Sequence, residues 1–401
     1  MAFVKWHIKF LTVVTAGVII LVGLAFSSFA FSSRLAARAA GGSSSATNSY
    51  QQTNLVSDLA NTAQVRDKSL VNPWGLSHNP NGPWQVSDNG TGLTTQYTSV
   101  GKKVPPAVTI PTPAGVKTAA PTGNVFNSTI DFVISKNGKS FASQFIFATE
   151  DGTISGFNPN VDSTHAILAV DRSTESQGVF TGAVYKGLAL ATSSSGNFLF
   201  ATNFRFGMVE KFDAQFKLVA SFTDPDLNKQ CDLTVLTNQC FAPFGIQSIN
   251  DQLYVTFALQ KAGTPGQPGT FKHDDQAGPG NGFVDVFDTD GNLIRHFASK
   301  GTLNSPWGLA LAPANFGKFS NDVLVGNFGD GRINAFDPGS GTSPGTFLDQ
   351  LRDGNGNAIT INGLWGLAFG NGSLAGSTNT LFFASGFNDE ADGIFGSIVP
   401  A

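Results

Sequence analysis

Short apolar runs of five or six residues, separated by clusters of Gly, Asp, Asn and Ser, recur from about Asn54 to the end of this chain. Runs of that length between turn residues predict strands. In the clearest block, Gly187–Ala191 reads as a strand and residues 193–197 as a turn. Phe198–Asn203, Met208–Phe212 and Lys217–Phe222 follow as three more strands. The same order returns in Trp307–Leu311, Val323–Asn327, Arg332–Phe336 and Thr346–Leu351. Turns such as Asp288-Thr289-Asp290-Gly291-Asn292 carry the residue types that tolerate positive φ in hairpins.

A recurring tetrapeptide sets the phase of these blocks. Pro73-Trp74-Gly75-Leu76 returns as Pro306-Trp307-Gly308-Leu309 and Leu364-Trp365-Gly366-Leu367, with weaker copies at Pro243-Phe244-Gly245-Ile246 and Tyr185-Lys186-Gly187-Leu188. Gly187, Gly245, Gly308 and Gly366 are spaced 58, 63 and 58 residues apart. Gly75 and Gly187 are 112 apart, so even spacing predicts a sixth copy at Thr129-Ile130-Asp131-Phe132. Six units of four antiparallel strands predict an all-β, six-bladed β-propeller. The last unit has only three strands, Trp365–Phe369, Thr380–Ser385 and Gly393–Ile398, and the unpartnered run at residues 53–59 supplies its fourth. That closure removes an open sheet edge. Residues 54–401 are thus expected to form one domain.

Gly-Leu or Gly-Ile opening the first strand, a polar residue ending the second, and Phe-Asp ending the third (Val286-Phe287-Asp288, Ala335-Phe336-Asp337) resemble NHL repeats. More closely, Asn54 to Pro400 resembles an uncharacterised family of exported bacterial propellers, some with C-terminal PEP-CTERM sorting tails. The match lies in Lys272-His273-Asp274-Asp275, in residues 277–282 and 324–331, and in the ending Gly393-Ile394-Phe395-Gly396-Ser397-Ile398. The resemblance implies fold and export, and no assigned reaction. This chain has no Pro-Glu-Pro motif with an apolar helix and basic tail at its end.

Composition agrees. Charged residues are 13%, with 46 Gly and 36 Phe, which suits short buried strands and tight turns better than long surface helices. The formal charge of -4 hides a split: residues 1–40 carry Lys5, Lys9, Arg34 and Arg38 and no acid, leaving the rest at -8. An acidic body without a basic stripe argues against nucleic acid as a partner. Residues 1–33, with an uncharged run from Phe10 to Phe31, read as an export signal or a retained membrane anchor. Residues 34–53 read as a flexible linker. Either N-terminal reading puts the body outside the cytoplasm, in the periplasm, in the medium or tethered to the membrane. Cys231 and Cys240, the two cysteines, are expected to form a disulfide there. A monomer is expected.

Candidate chemistry follows from the blade parse, because the start of the first strand and the end of the second meet at one rim. Asp131 stands where other units have Gly, and Lys186 where they have an aromatic. In adjacent blades the two are expected either to pair or to serve a site. The second-strand ends offer Asp88, Asn89, Glu150, Asp151, Asn203, Phe204, Asn327 and Phe328, with Asp330, Asn388 and Asp389 just beyond. These are ordinary turn-capping residues. They also suggest a ring of oxygens for a Ca²⁺-type ion, with Glu150, Asn203 and Asn327 as ligands. A long insertion, Gln260–Gly282, replaces a tight turn in the fourth unit and brings His273, Asp274 and Asp275 to the same rim. Asp131, Lys186 and His273 are the candidate catalytic groups. No nucleophile elbow, Walker loop, His-Glu-x-x-His or zinc spacing is present. Two functions stay open. One is a scaffold binding an envelope protein, glycan or small molecule, with Phe204, Phe328 and Phe387 as exposed anchors. The other is a metal-assisted, lactonase-like hydrolase or lyase.

Overall fold

Six small sheets, five of four antiparallel strands and one extended to five by the short parallel strand Val65–Arg66, succeed one another around a central axis in the computed structural model, which describes residues 47–229 and 231–401. The predicted signal or anchor, and the linker up to residue 46, lie outside the described residues. From the inside outward, blade one is Pro73–His78, Trp84–Asp88, Leu93–Tyr97 and Val108–Thr109, and blade two is Pro121–Phe126, Phe145–Thr149, Thr153–Phe157 and Ile167–Asp171. Blade three is Tyr185–Ser193, Gly196–Asn203, Met208–Phe212 and Leu218–Phe222, and blade four is Phe241–Ile249, Gln252–Leu259, Gly282–Phe287 and Leu293–Ser299. Blade five is Pro306–Leu311, Val323–Asn327, Ile333–Asp337 and Thr346–Gln350. Blade six is Leu364–Phe369, Leu381–Phe387 and Asp392–Pro400, closed by Tyr50–Ser57 from the start of the domain.

The closing strand runs antiparallel to the last one, from Tyr50 opposite Pro400 to Ser57 opposite Ile394. It starts at Tyr50, inside the stretch that reads as linker. The reason is the Tyr50 ring, which is buried and packs on Phe316 and Phe319 while its hydroxyl donates to the Phe316 carbonyl at 3.0 Å. A polar neighbourhood (Ser49, Gln51, Gln52) masks that one anchoring side chain in the sequence.

The recurring aromatic–glycine pair has a structural meaning. In every blade the pairing of first and second strands slips at this pair, for example between Pro73 and Leu76 and between Pro243 and Ile246. Such a bulge re-aims the side chain before the glycine, here toward the axis. The glycines then let neighbouring blades touch by backbone. A Cβ on Gly245 would lie 2.0 Å from the Trp307 carbonyl oxygen, and one on Gly366 would lie 2.5 Å from that of Trp74. Gly245→Ala is therefore expected to destabilise by about 3 kcal/mol or more, because backbone cannot step aside as a side chain does. Gly187→Ala, whose nearest contact would be 2.9 Å, should cost less. Urea titration of both variants tests this order.

Blade two corrects the even-spacing expectation. Its first strand is Pro121–Phe126 and its axial glycine is Gly123, 48 residues after Gly75 and 64 before Gly187. A hairpin, Val133–Lys136 with Lys139–Ala142, is inserted after that strand and makes the spacing uneven. Thr122 replaces the aromatic, so the copy carries no Trp signal. Asp131 consequently does not sit at an axial glycine position. It follows the far end of the first strand, and its carboxylate accepts from Asn197 Nδ2 at 2.7 Å. Asn197 opens the second strand of blade three, at the end opposite Asn203, so Asp131 belongs to the other rim.

Candidate active site at the channel mouth

The bulged residues fill one end of the channel. Trp74, Phe244, Trp307 and Trp365 converge with Phe204 and Phe328 into an aromatic plug. Trp74 stacks on Trp365 at 3.4 Å between ring centroids, and Phe328 stacks on its other side at 4.0 Å. Phe204 is wholly buried against Phe244. Phe204 is therefore a plug residue and not the exposed anchor that the sequence suggested, whereas Phe328 is only partly buried and keeps a face on a neighbouring cleft.

Blade three contributes Lys186 where its neighbours contribute a ring. The Lys186 ammonium is buried, 5.1 Å from the Trp74 ring centroid and 5.8 Å from that of Phe204, an arrangement favourable to a cation. Its charge is matched by a direct ion pair with Glu150 and by Asp274 at 3.9 Å. Glu150 in turn accepts from Asn89 Nδ2 at 2.9 Å. Burial works to raise the Glu150 carboxyl, but the Lys186 and His273 charges outweigh it and hold it below its usual range. Burial likewise works against the Lys186 charge, and Glu150 reverses that, raising its pKa. The expected pairing of Lys186 with Asp131 is thus replaced by a pairing with Glu150.

The insertion at 260–282 lies beside this pair, held by two buried cations. Arg205 donates to the carbonyls of Thr181, Gly182, Gly269 and Phe271, and burial lowers its pKa to about 10. Lys272, at φ 51°, donates to Gln260 Oε1 at 2.9 Å, and burial lowers its pKa to about 8. Its ammonium also lies 3.3 Å from Cys240 Sγ, which forms the expected disulfide with Cys231. So anchored, the loop presents His273, 30% exposed, with Nδ1 2.7 Å from Asp274 Oδ1 and 4.0 Å from Glu150 Oε1. Asp274 lies well below the usual carboxylate range: burial opposes its charge, but the His273 contact and Lys186 outweigh it.

Glu390 completes the mouth, and sequence reasoning missed it. Asn388, Asp389 and Glu390 all have φ between 53° and 65°, a left-handed run that costs on the order of 1 kcal/mol per residue. That strained turn brings the Glu390 carboxylate to Asn72 Nδ2 at 2.8 Å, and Asn72 Oδ1 accepts from the Trp365 indole at 3.1 Å. Burial, then the nearby Glu150 charge, raises the Glu390 carboxyl to about 7. The one available signal was a cluster of polar residues at a second-strand end in a charge-poor chain. Asn388 and Asp389 belong to that cluster, but Asn388 only braces the turn through Asp392.

The expected ring of oxygen ligands does not form. Asn203 is fully buried and engaged by Glu210, Val184 N and Phe206 N. Asn327 is engaged by Thr302, Asp330 and Asn304 N. Both serve their own blades, as does Asp330. Asp88 is enclosed in blade one, where burial pushes its carboxyl well above the usual range. Asp151 accepts from Ala120 N at 2.9 Å, and burial raises both it and Asp275. Glu150, His273 and Asp274 do converge, their ligating atoms within 4.8 Å of one another. A cleft of about 370 Å³ on one side is lined by Glu150, Asp151, Arg205 and His273. Another, of about 720 Å³, is lined by Asp274, Asp275, Lys261 and Phe328.

No family model matches the chain. It is 30% identical over 346 residues to the uncharacterized protein R648 of Acanthamoeba polyphaga mimivirus, covering 86% of this chain and 78% of that protein. It is 31% identical over 347 residues to the uncharacterized protein L690 of the same virus, covering 86% and 84%. Among solved structures it is similar to virginiamycin B lyase from Staphylococcus aureus, at 14% identity and TM-score 0.43 over 87% of this chain and 98% of that one. It is also similar to the soluble aldose sugar dehydrogenase from Escherichia coli, at 11% identity and TM-score 0.49 over 88% and 100%. The bacterial origin and sorting tails implied by the resemblance find no support in these matches.

Proposed function

The chain belongs to the family of the mimivirus proteins R648 and L690, and from the site it carries we propose an exported propeller that performs acid–base chemistry, of hydrolase or lyase type, on a small molecule held at the channel mouth. One observation carries this reading. A carboxyl raised to about 7, Glu390, shares an open mouth with a fixed Glu150–Lys186 pair and an oriented His273–Asp274 pair. Groups poised near neutrality in a cleft suit proton transfer. Glu390 would exchange the proton, His273 would act as its counterpart, and the Lys186 charge would favour an oxyanion forming nearby. Calcium fits this set poorly, because a hard ion seeks six to eight oxygens, whereas the mouth offers an imidazole and an ammonium already paired. The scaffold reading loses one of its three anchors, Phe204, to burial, and keeps Phe328 and Phe387 partly exposed. The uncharged run from Phe10 to Phe31 and the disulfide support the export part of the reading.

The test is turnover of a panel of esters, lactones and elimination substrates by the full chain. Activity should fall about 100-fold or more in Glu390→Gln and in His273→Ala. Tight binding of a panel member with no turnover in any class would instead make the mouth a binding site. Stability supplies a separate readout. A carboxyl at 4.5 when unfolded and about 7 when folded stabilises the fold below pH 4.5. That contribution fades as pH rises through 7, since the folded state holds the extra proton. Wild type should therefore lose up to about 3 kcal/mol relative to Glu390→Gln between those limits, measurable by denaturant titration at stepped pH.

A further inference from the structure

A second set of ligating side chains lies away from the mouth, where the outer strand of blade three gives way to blade four. Asp285 and His296 are directly opposed on the third and fourth strands of blade four, which places them on one face of the sheet. Asp224, just after the outer strand of blade three, reaches the same point. His296 Nδ1 lies 3.0 Å from Asp285 Oδ1 and 3.3 Å from Asp224 Oδ2. Asp224 uses its other oxygen to cap the short helix Pro225–Asn228, accepting from Asp226 N and Leu227 N.

The carboxylates are sealed in. Asp285 and Asp224 are 0% and 1% exposed, whereas the imidazole is 48% exposed. Asp285 Oδ2 is buried and accepts from no N–H or O–H group among the described residues, and its carboxyl lies within proton-sharing reach of Asp224. Among those residues no Lys or Arg forms an ion pair with either carboxylate, and Lys229, the nearest in sequence, pairs with Asp226. Two carboxylates facing each other out of water need a proton or a cation between them, and among the described residues the half-exposed His296 imidazole is the group in ion-pair reach of both.

We propose that Asp224, Asp285 and His296 form a site for a divalent first-row metal of the zinc type, with the imidazole side open to solvent. The three ligating atoms lie within 4.8 Å of one another. One imidazole and two carboxylates are a donor set for Zn²⁺ or Mn²⁺, and an imidazole disfavours Ca²⁺ and Mg²⁺. Three protein ligands leave one position for water or a small ligand. The ion would tie the exit of blade three to the outer half of blade four, in place of a proton held between the two carboxyls.

Zn²⁺ titration of the full chain by calorimetry, with melting curves before and after chelator, tests the site. Wild type should bind Zn²⁺ and melt higher with it, and chelator should reverse the shift. Changing even an outer-shell partner weakens metal binding about 10- to 100-fold, so Asp285→Asn and His296→Ala should each weaken it by about 100-fold or more. Asp285→Asn relieves the carboxylate repulsion and His296 is half exposed, so both variants should fold. Because the channel mouth also sets one imidazole among two carboxylates, all titrations are repeated in the His273→Ala background, where the Zn²⁺ response of this second site should persist. The proposal fails if wild type shows no Zn²⁺ response, since a proton then does the ion's work. It also fails if, in the His273→Ala background, binding survives Asp285→Asn and His296→Ala, or is lost in His273→Ala itself.

Discussion

Lys186→Met is expected to cost about 3–5 kcal/mol of folding stability and to abolish activity at the channel mouth. The stability loss comes less from a missing attraction than from what is left behind: a buried Glu150 carboxylate with only Asn89 and a partly exposed histidine near it. Replacing both partners, as Lys186→Met with Glu150→Gln, removes the stranded charge, and most of the stability should return, because apolar or neutral substitutes for a buried pair are often nearly neutral. Activity should not return, since the proposed oxyanion-stabilising charge stays absent. Denaturant titration of the two singles and the double closes the cycle. If the double is no more stable than Lys186→Met alone, the pair is not the energetic unit described here.

Trp365→Ala should cost a comparable amount, about 3–5 kcal/mol. Trp365 stacks on Trp74 and Phe328 and meets Phe244 and Trp307 edge-on, each at 5.8 Å, so its loss opens a cavity at the axis that the backbone-to-backbone glycine contacts prevent from collapsing. Trp365→Phe should restore much of the packing but lose the indole hydrogen bond to Asn72. Asn72 is what holds Glu390. The Phe variant should thus keep most of its stability and still shift the pH dependence assigned to Glu390. Equal pH profiles for wild type and Trp365→Phe would separate the plug from the site.

The parts of the fold legible in the sequence were those that repeat. A glycine is needed wherever two blades meet by backbone at the axis, and the residue before it is turned inward by a bulge, so the same pair recurs and counts the blades. Blade two escaped because Thr122 stands in for an aromatic and an inserted hairpin disturbs the spacing, and Asp131 was misplaced with it. The site was legible only as departures from the repeat. Lys186 broke the aromatic pattern, and the insertion with His273 and Asp274 broke the turn pattern. All three do meet at one mouth.

What the sequence by itself determined is a closed ring of six sheets, an N-terminal strand that completes it, and a small set of charged residues out of place in it. The tertiary structure alone decided which of them are partners. Lys186 pairs with Glu150 because neighbouring blades set those two side chains together, although 36 positions separate them. Asn203 and Asn327 turn into their own blades because buried amides take the nearest backbone and side-chain partners. Glu390 reaches the mouth through three left-handed residues, and no sequence pattern announces such a turn. A one-dimensional repeat encodes the contacts that every blade shares, whereas a site depends on contacts that only one place in the ring makes.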